Sequence, residues 1–175
     1  MATLTEQDLR RRTLAAGFPE RKVDALLVSF GPNLRYLSGF TGSNGNLLML
    51  PGKSILFTDP RYQTQAPRET TCRVKIARGP MVVDIVTAIK RLRLQRIGYE
   101  PALMTCEFFE SLKSRLPLGA SLEPVAGAVE ELRAIKSTAE IARIRRSVET
   151  NSQAFEQAVA RVRPGMTEQD LAAEL

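Results

Sequence analysis

Histidine and tryptophan are absent from the 175 residues of this chain, and cysteine occurs only twice. Histidine is the commonest protein ligand of catalytic transition metals and the commonest general base near neutral pH. Its absence excludes a histidine-built metal centre, and it leaves Ser38, Ser43, Ser54 and both cysteines without the base that a nucleophile needs. Cys72 and Cys106 stand 34 positions apart with no second pair, which argues against a disulfide framework or a metal knuckle and predicts a reducing, cytoplasmic setting. No apolar run approaches the ~18 residues of a membrane span, and the opening MATLTEQDLRRR lacks the apolar core of a signal peptide. A membrane is therefore not an expected partner.

The composition that remains, 43% hydrophobic and 25% charged, is that of a globular domain with one core. Lysine and arginine outnumber the acids 25 to 19. The excess is uneven: residues 68–96 carry Arg68, Arg73, Lys75, Arg78, Lys90, Arg91, Arg93 and Arg96 against only Glu69 and Asp84. Aromatics are not interleaved with these charges as single-strand binders require, so the stretch reads as a solvated basic face and nucleic acid is not the expected partner.

Periodicity predicts the following order. A helix starts at a Thr5 cap with Asp8 and ends near Gly17, with Leu9 and Leu14 on its apolar side. DALLVSF, 24–30, is a buried strand, and Pro32 opens a helical turn. Runs 46–50 and 54–58 flank Pro51, Gly52 and Lys53 and pair as a hairpin. Pro60 starts a helix that Pro67 interrupts; 72–77 is a strand, 81–92 a helix, 96–99 a strand, 105–116 a helix and 121–125 a strand. This alternation with one hairpin predicts an α/β domain with a mixed sheet. After Ala128 the character changes: Ser137 and Glu140 form a capping box before a long helix whose stripe is Ile141, Ile144, Val148, Phe155, Val159 and Val162. Pro164 and Gly165 end it, and Thr167 with Asp170 caps a last helix that is still running at Leu175.

Single motifs carry little. Gly52, Lys53 and Ser54 match the end of a phosphate-binding loop, but Leu47 stands where its first glycine belongs and no helix follows. Gly39, Gly42 and Gly45 make a flexible connection. Glu130 and Glu131 adjoin a helix start and have no second acidic cluster with metal-ligand spacing.

The order of segments says more: DALLVSFGPNLRYLSGFTGSNGNLLML, KSILFTDPRYQTQA, LRAIKSTAEIARIRRSVETNSQAFEQAV and RPGMTEQDLAAEL. Together they resemble the start of an Xaa-Pro aminopeptidase or prolidase of the creatinase-like metallopeptidases. The resemblance implies a creatinase N-terminal-type mixed sheet with flanking helices over residues 1–130. For 131–175 it implies a linker, a long helix and the start of a truncated pita-bread catalytic domain. The two divalent metals of that family, Mn, Co or Zn, are held by two aspartates, a histidine and two glutamates, all expected beyond Leu175, so no cofactor is expected in this chain. The family's N-terminal lobe shapes the substrate cleft, and in dimers it leans over the neighbouring active site, so a homodimer and a proline-containing peptide are the implied partners.

On this reading the candidate cleft residues are Arg35, Tyr36, Phe40, Asp59, Arg61 and Tyr62. An arginine holds a peptide carboxylate in bidentate fashion, and an aromatic edge suits a proline ring. The alternative for the same residues is that Asp59 and Arg61 brace the loop while Tyr36 and Phe40 fill the core. At the level of function, the alternative is a non-enzymatic binding module of a metal-less relative, of histone-chaperone or nucleic-acid-associated type.

Overall fold

The apolar run at 24–30 forms strand β1 (Ala25–Val28), every residue of it buried, in a computed structural model that describes residues 4–174. The first three residues of the opening segment and the terminal Leu175 lie outside the described residues. β1 has no polar face because it is covered on both sides. Leu26 and Val28 enter one core cluster, while Ala25 and Leu27 enter another.

Around β1 stand β2 (Gly45–Leu50), β3 (Lys53–Thr58), β4 (Arg73–Ile76), β5 (Arg96–Tyr99) and β6 (Ser121–Pro124), in the order β4-β3-β2-β1-β5-β6. β2 is antiparallel to both β1 and β3, joined to β3 by a turn in which Gly52 takes φ +72°. All other pairings are parallel. The expected mixed α/β sheet is therefore present.

Helices cover both faces. Residues of α1 (Glu6–Ala16), α2 (Gly31–Ser38), α3 (Ala66–Glu69) and α6 (Ala128–Ala134) join one cluster around Phe18, Phe40 and Leu47; α4 (Met81–Leu92) and α5 (Cys106–Lys113) join the other around Phe57 and Ile85. The chain divides into two compact units, Met1–Arg133 and Ala134–Leu175. The second unit contains α7 (Thr138–Ala160) and α8 (Glu168–Glu174). The Ser137 hydroxyl accepts from the Glu140 N–H at 3.2 Å, and the Glu140 carboxylate accepts from the Ser137 N–H at 2.9 Å. The capping box is thus closed.

Several sequence expectations need correction. Pro67 does not end a helix: residues 60–62 form a separate 3-10 turn, and Pro67 lies in the first turn of α3, where its missing N–H costs nothing. α5 is shorter than 105–116, and α7 ends before Val162. On α1 the apolar assignment fails at Leu9, which is 52% exposed, whereas Arg11 is buried. Arg11 donates through Nη1 to the Leu37 carbonyl at 2.6 Å and through Nη2 to the Thr71 hydroxyl at 2.7 Å and to Asp8. A cation there satisfies a carbonyl in the last turn of α2 that the helix leaves open. Among the described residues no helix is long and apolar enough to cross a membrane.

Candidate functional site

Because β2 alone opposes the other strands, the carboxyl ends of β1, β3, β4, β5 and β6 meet on one edge with the start of β2. Loops at the carboxyl edge of a mostly parallel sheet are where α/β domains place their ligands. On this edge α2 is capped by Gly39 in the left-handed conformation and hands the chain to the loop 40–44, while Asp59 directly follows the end of β3.

Asp59 joins these two segments. Its side chain caps the 3-10 turn by accepting from the Arg61 N–H at 3.0 Å. It also takes a fork from the Arg61 guanidinium, Nε at 2.9 Å and Nη2 at 2.8 Å, and the Asn44 amide at 2.8 Å. These bonds, those from Arg61 first, hold its carboxyl well below the usual carboxylate range against a smaller opposing effect of burial. Tyr62, next along, accepts the Ser43 N–H at 3.1 Å and shares a 2.9 Å bond with the Ser43 hydroxyl, which lowers its phenol from the ordinary value. Its ring meets that of Phe40 edge to face at 5.2 Å, and the Arg61 guanidinium lies 5.3 Å over it.

Phe40, Asp59, Arg61 and Tyr62 therefore form one assembly. Phe40 is its buried foot at 1% exposure, and the Arg61 side chain, 67% exposed, is its outer end. Arg35 stands on the exposed side of α2, and its charge helps lower the Glu69 carboxyl. On that group burial acts upward most strongly, and the bonds from the Thr41 N–H and hydroxyl and from the Gln65 amide, each 2.8 Å, together with Arg35 outweigh it. Tyr36 meets α1 and α6. It packs beneath Arg10, whose guanidinium lies 3.9 Å from the ring, and its hydroxyl donates to the Leu132 carbonyl at 3.3 Å.

A cleft of about 220 Å3 opens beside this assembly, between the start of α2, residues 42–46 and the start of α5. Ser29 lines it, and the Ser29 Oγ is buried with no hydrogen-bond partner among the described residues. Next to it is a polar network not identified from the sequence. The buried Glu100 accepts from the Ser29 and Phe30 N–H groups at 3.0 and 3.3 Å and from the Asn33 amide at 2.6 Å. The same Asn33 amide donates to Glu130 at 2.5 Å, and its oxygen accepts from Arg133 at 2.7 Å. Burial pushes the Glu100 carboxyl up from its ordinary value, and the bonds it accepts only partly oppose this. The one visible hint was a glutamate directly after an apolar strand, RIGYE.

The metal-ligand set implied by the resemblance does not fit this chain. There is no histidine, and among the described residues no group of three or more His, Cys, Asp or Glu side chains could hold an ion.

Comparison with known proteins agrees with the segment order. Residues 10–135 match the Creatinase/Prolidase N-terminal domain family model. An uncharacterized peptidase of Bacillus subtilis (strain 168), YqhT, is 31% identical over 90% of this chain and 45% of its own length. The Xaa-Pro dipeptidase from Bacillus anthracis superposes with a TM-score of 0.91 at 26% identity over 97% of this chain and 47% of that one. The N-terminal domain of the cytoplasmic peptidase PepQ from Mycobacterium tuberculosis H37Rv, 33% identical, is covered over 98% of its length by 71% of this chain, with a TM-score of 0.66. The chain thus spans about half the length of the first two relatives and nearly all of the third. With sheet, segment order and family model in agreement, the chain belongs to the creatinase/prolidase N-terminal domain family.

Proposed function

We propose that this chain is the non-catalytic lobe of a proline-specific metallopeptidase, and that it shapes the substrate cleft with the loop 40–44 and the turn 59–62. The observation that carries this reading is the fixed orientation of Arg61. Its Nε and one edge of Nη2 are committed to Asp59, which leaves Nη1 and the second Nη2 hydrogen directed away, able to grip a peptide carboxylate or carbonyl end-on. Because Asp59 neutralises most of the charge, Arg61 acts as an oriented donor more than as an electrostatic trap. The Phe40–Tyr62 ring pair beside it offers an aromatic edge of the kind that suits a proline ring.

This lobe supplies none of the ions, so no hydrolytic step is assigned to its residues. The relatives are peptidases by name, which does not favour a non-enzymatic binding module.

The test is kinetic, in the protein that joins this lobe to its catalytic partner. Arg61→Ala raises KM for Xaa-Pro peptides about tenfold and leaves kcat within about twofold, the signature of lost uniform binding. Asp59→Asn, which frees the fork, gives a smaller rise. Unchanged kinetics in both variants, with folding intact by circular dichroism, would return Asp59 and Arg61 to bracing the loop. For the isolated chain, calorimetry with Mn, Co and Zn shows no micromolar binding, and Xaa-Pro turnover stays at the buffer background.

A further inference from the structure

β4 is one of the two outer strands of the sheet and, among the described residues, pairs with β3 alone. Among the described residues, no backbone N–H or C=O of 73–76 bonds outside that ladder, so the far side of β4 is an open edge. The register places Arg73 opposite Ile55 and Lys75 opposite Phe57, which puts both cations on the sheet face that α4 covers. α4 does not reach the edge. It leaves a groove of about 240 Å3 floored by Ile55 and Phe57 and rimmed by Lys53, Arg73 and Lys75 from the sheet and by Asp84 and Arg91 from α4.

Lys75 meets a carboxylate, Asp84 at 3.4 Å. Lys53, Arg73 and Arg91 are exposed and make no ion pair among the described residues. Cations gathered around one groove repel one another, and an anion entering the groove relieves that repulsion. On the opposite face of the same strand, Val74 and Ile76 are half-buried. The edge therefore offers, residue by residue, a basic side, an apolar side and unpaired backbone groups between them.

We propose that the β4 edge is a docking site for an extended acidic polypeptide segment, which adds to the sheet as a further strand. Acidic side chains on one side of the segment meet Arg73, Lys75 and Arg91, and apolar side chains on the other meet Val74 and Ile76. Main-chain bonds to β4 supply the affinity, and the alternating side chains supply the selectivity. A second copy of this chain is a poor occupant of the same edge, because pairing β4 with itself brings Arg73 and Lys75 against their own like charges. The proposal does not depend on the peptidase reading.

Fluorescence anisotropy with the 175-residue chain tests it, using a labelled octapeptide of alternating Glu and Val. Binding is expected, weakening as salt rises, and it falls at least about tenfold when Lys replaces Glu in the peptide. N-methylation of only the Glu residues and of only the Val residues gives two further probes. A paired strand turns alternate N–H groups towards its neighbour, so one of these peptides loses about tenfold and the other binds as before. The variant Arg73→Glu/Lys75→Glu loses binding. Should it fail to fold, Arg91→Glu, on the helix and outside the strand, reads the same loss. No binding of the Glu/Val peptide, equal affinity of the two methylated peptides, or an oligothymidylate binding as tightly as the acidic peptide would each overturn the proposal.

Discussion

Glu100 brings a carboxylate into a buried position, and three donors converge on it: the Ser29 and Phe30 N–H groups and the Asn33 amide. Replacing it with alanine leaves these donors unsatisfied, and the cost in chemical denaturation should be about 2–4 kcal/mol. The pH dependence has a definite sign. Burial raises the folded-state pKa of Glu100 above its unfolded value, so between those values the folded protein holds more protons than the unfolded chain. The contribution of Glu100 is then fullest below the ordinary carboxylate value and declines as pH rises through the raised one. Denaturation measured from neutral pH downwards should show the wild-type margin over Glu100→Ala widening with acidity; a constant margin would mean that the carboxyl titrates normally. Asp8 behaves oppositely. Burial pushes its carboxyl up, but bonds from Thr5, Thr71 and Arg11 prevail and lower it from 3.8 to about 2, so what it contributes is present at neutral pH and lost as pH falls through about 2.

At the scale of elements, the junction between α2 and the loop 40–44 depends on one glycine. Gly39 has φ +81°, and a Cβ added there would stand 2.9 Å from the Glu69 carbonyl of α3. Gly39→Ala therefore carries both the left-handed penalty and a clash with backbone, together about 2–3 kcal/mol. Gly52, in the β2–β3 turn, shares the conformation at φ +72° but has open space around it, so Gly52→Ala should cost only about 1 kcal/mol. Thermal or urea unfolding of the two variants isolates the clash. Equal losses would show that α3 yields to accommodate the methyl group.

At the scale of the whole molecule, the second unit exposes the stripe that the sequence placed on its long helix. Ile141, Val148 and Phe155 are 41%, 57% and 60% exposed, and Ile144, Val159 and Val162 are also open. Burying each such side chain is worth about 1.5–3 kcal/mol, so the stripe is a strong drive towards cover. Light scattering of the 175-residue chain should therefore show self-association, and a chain ended at Arg133, the limit of the first compact unit, should be a monomer that retains its sheet. A monomeric full chain with α7 protected from hydrogen exchange would refute this account.

Much of the fold was legible because its signals are local. The Thr5 and Ser137 caps, the Pro51–Gly52 turn, the α4 periodicity and the short strand at 96–99 each need only neighbours along the chain, and each appears where its pattern placed it. Of the site, Asp59 and Arg61 became candidates through the resemblance of TDPRY to a family segment, and the structure shows that these two, two residues apart on one turn, bond to each other. What the sequence could not determine is whatever depends on which surfaces meet. Leu9 and Arg11 exchanged roles because the neighbour of α1 offers a bare helix carbonyl that only a donor can satisfy. That Tyr36 lies under Arg10 depends on how α2 packs against α1. The Glu100–Asn33 bond joins residues 67 positions apart, and no periodicity carries that information. Local backbone preference and hydrophobic period are properties of a segment, but the partner of a buried charge is decided only when two distant segments are packed against each other and water is gone.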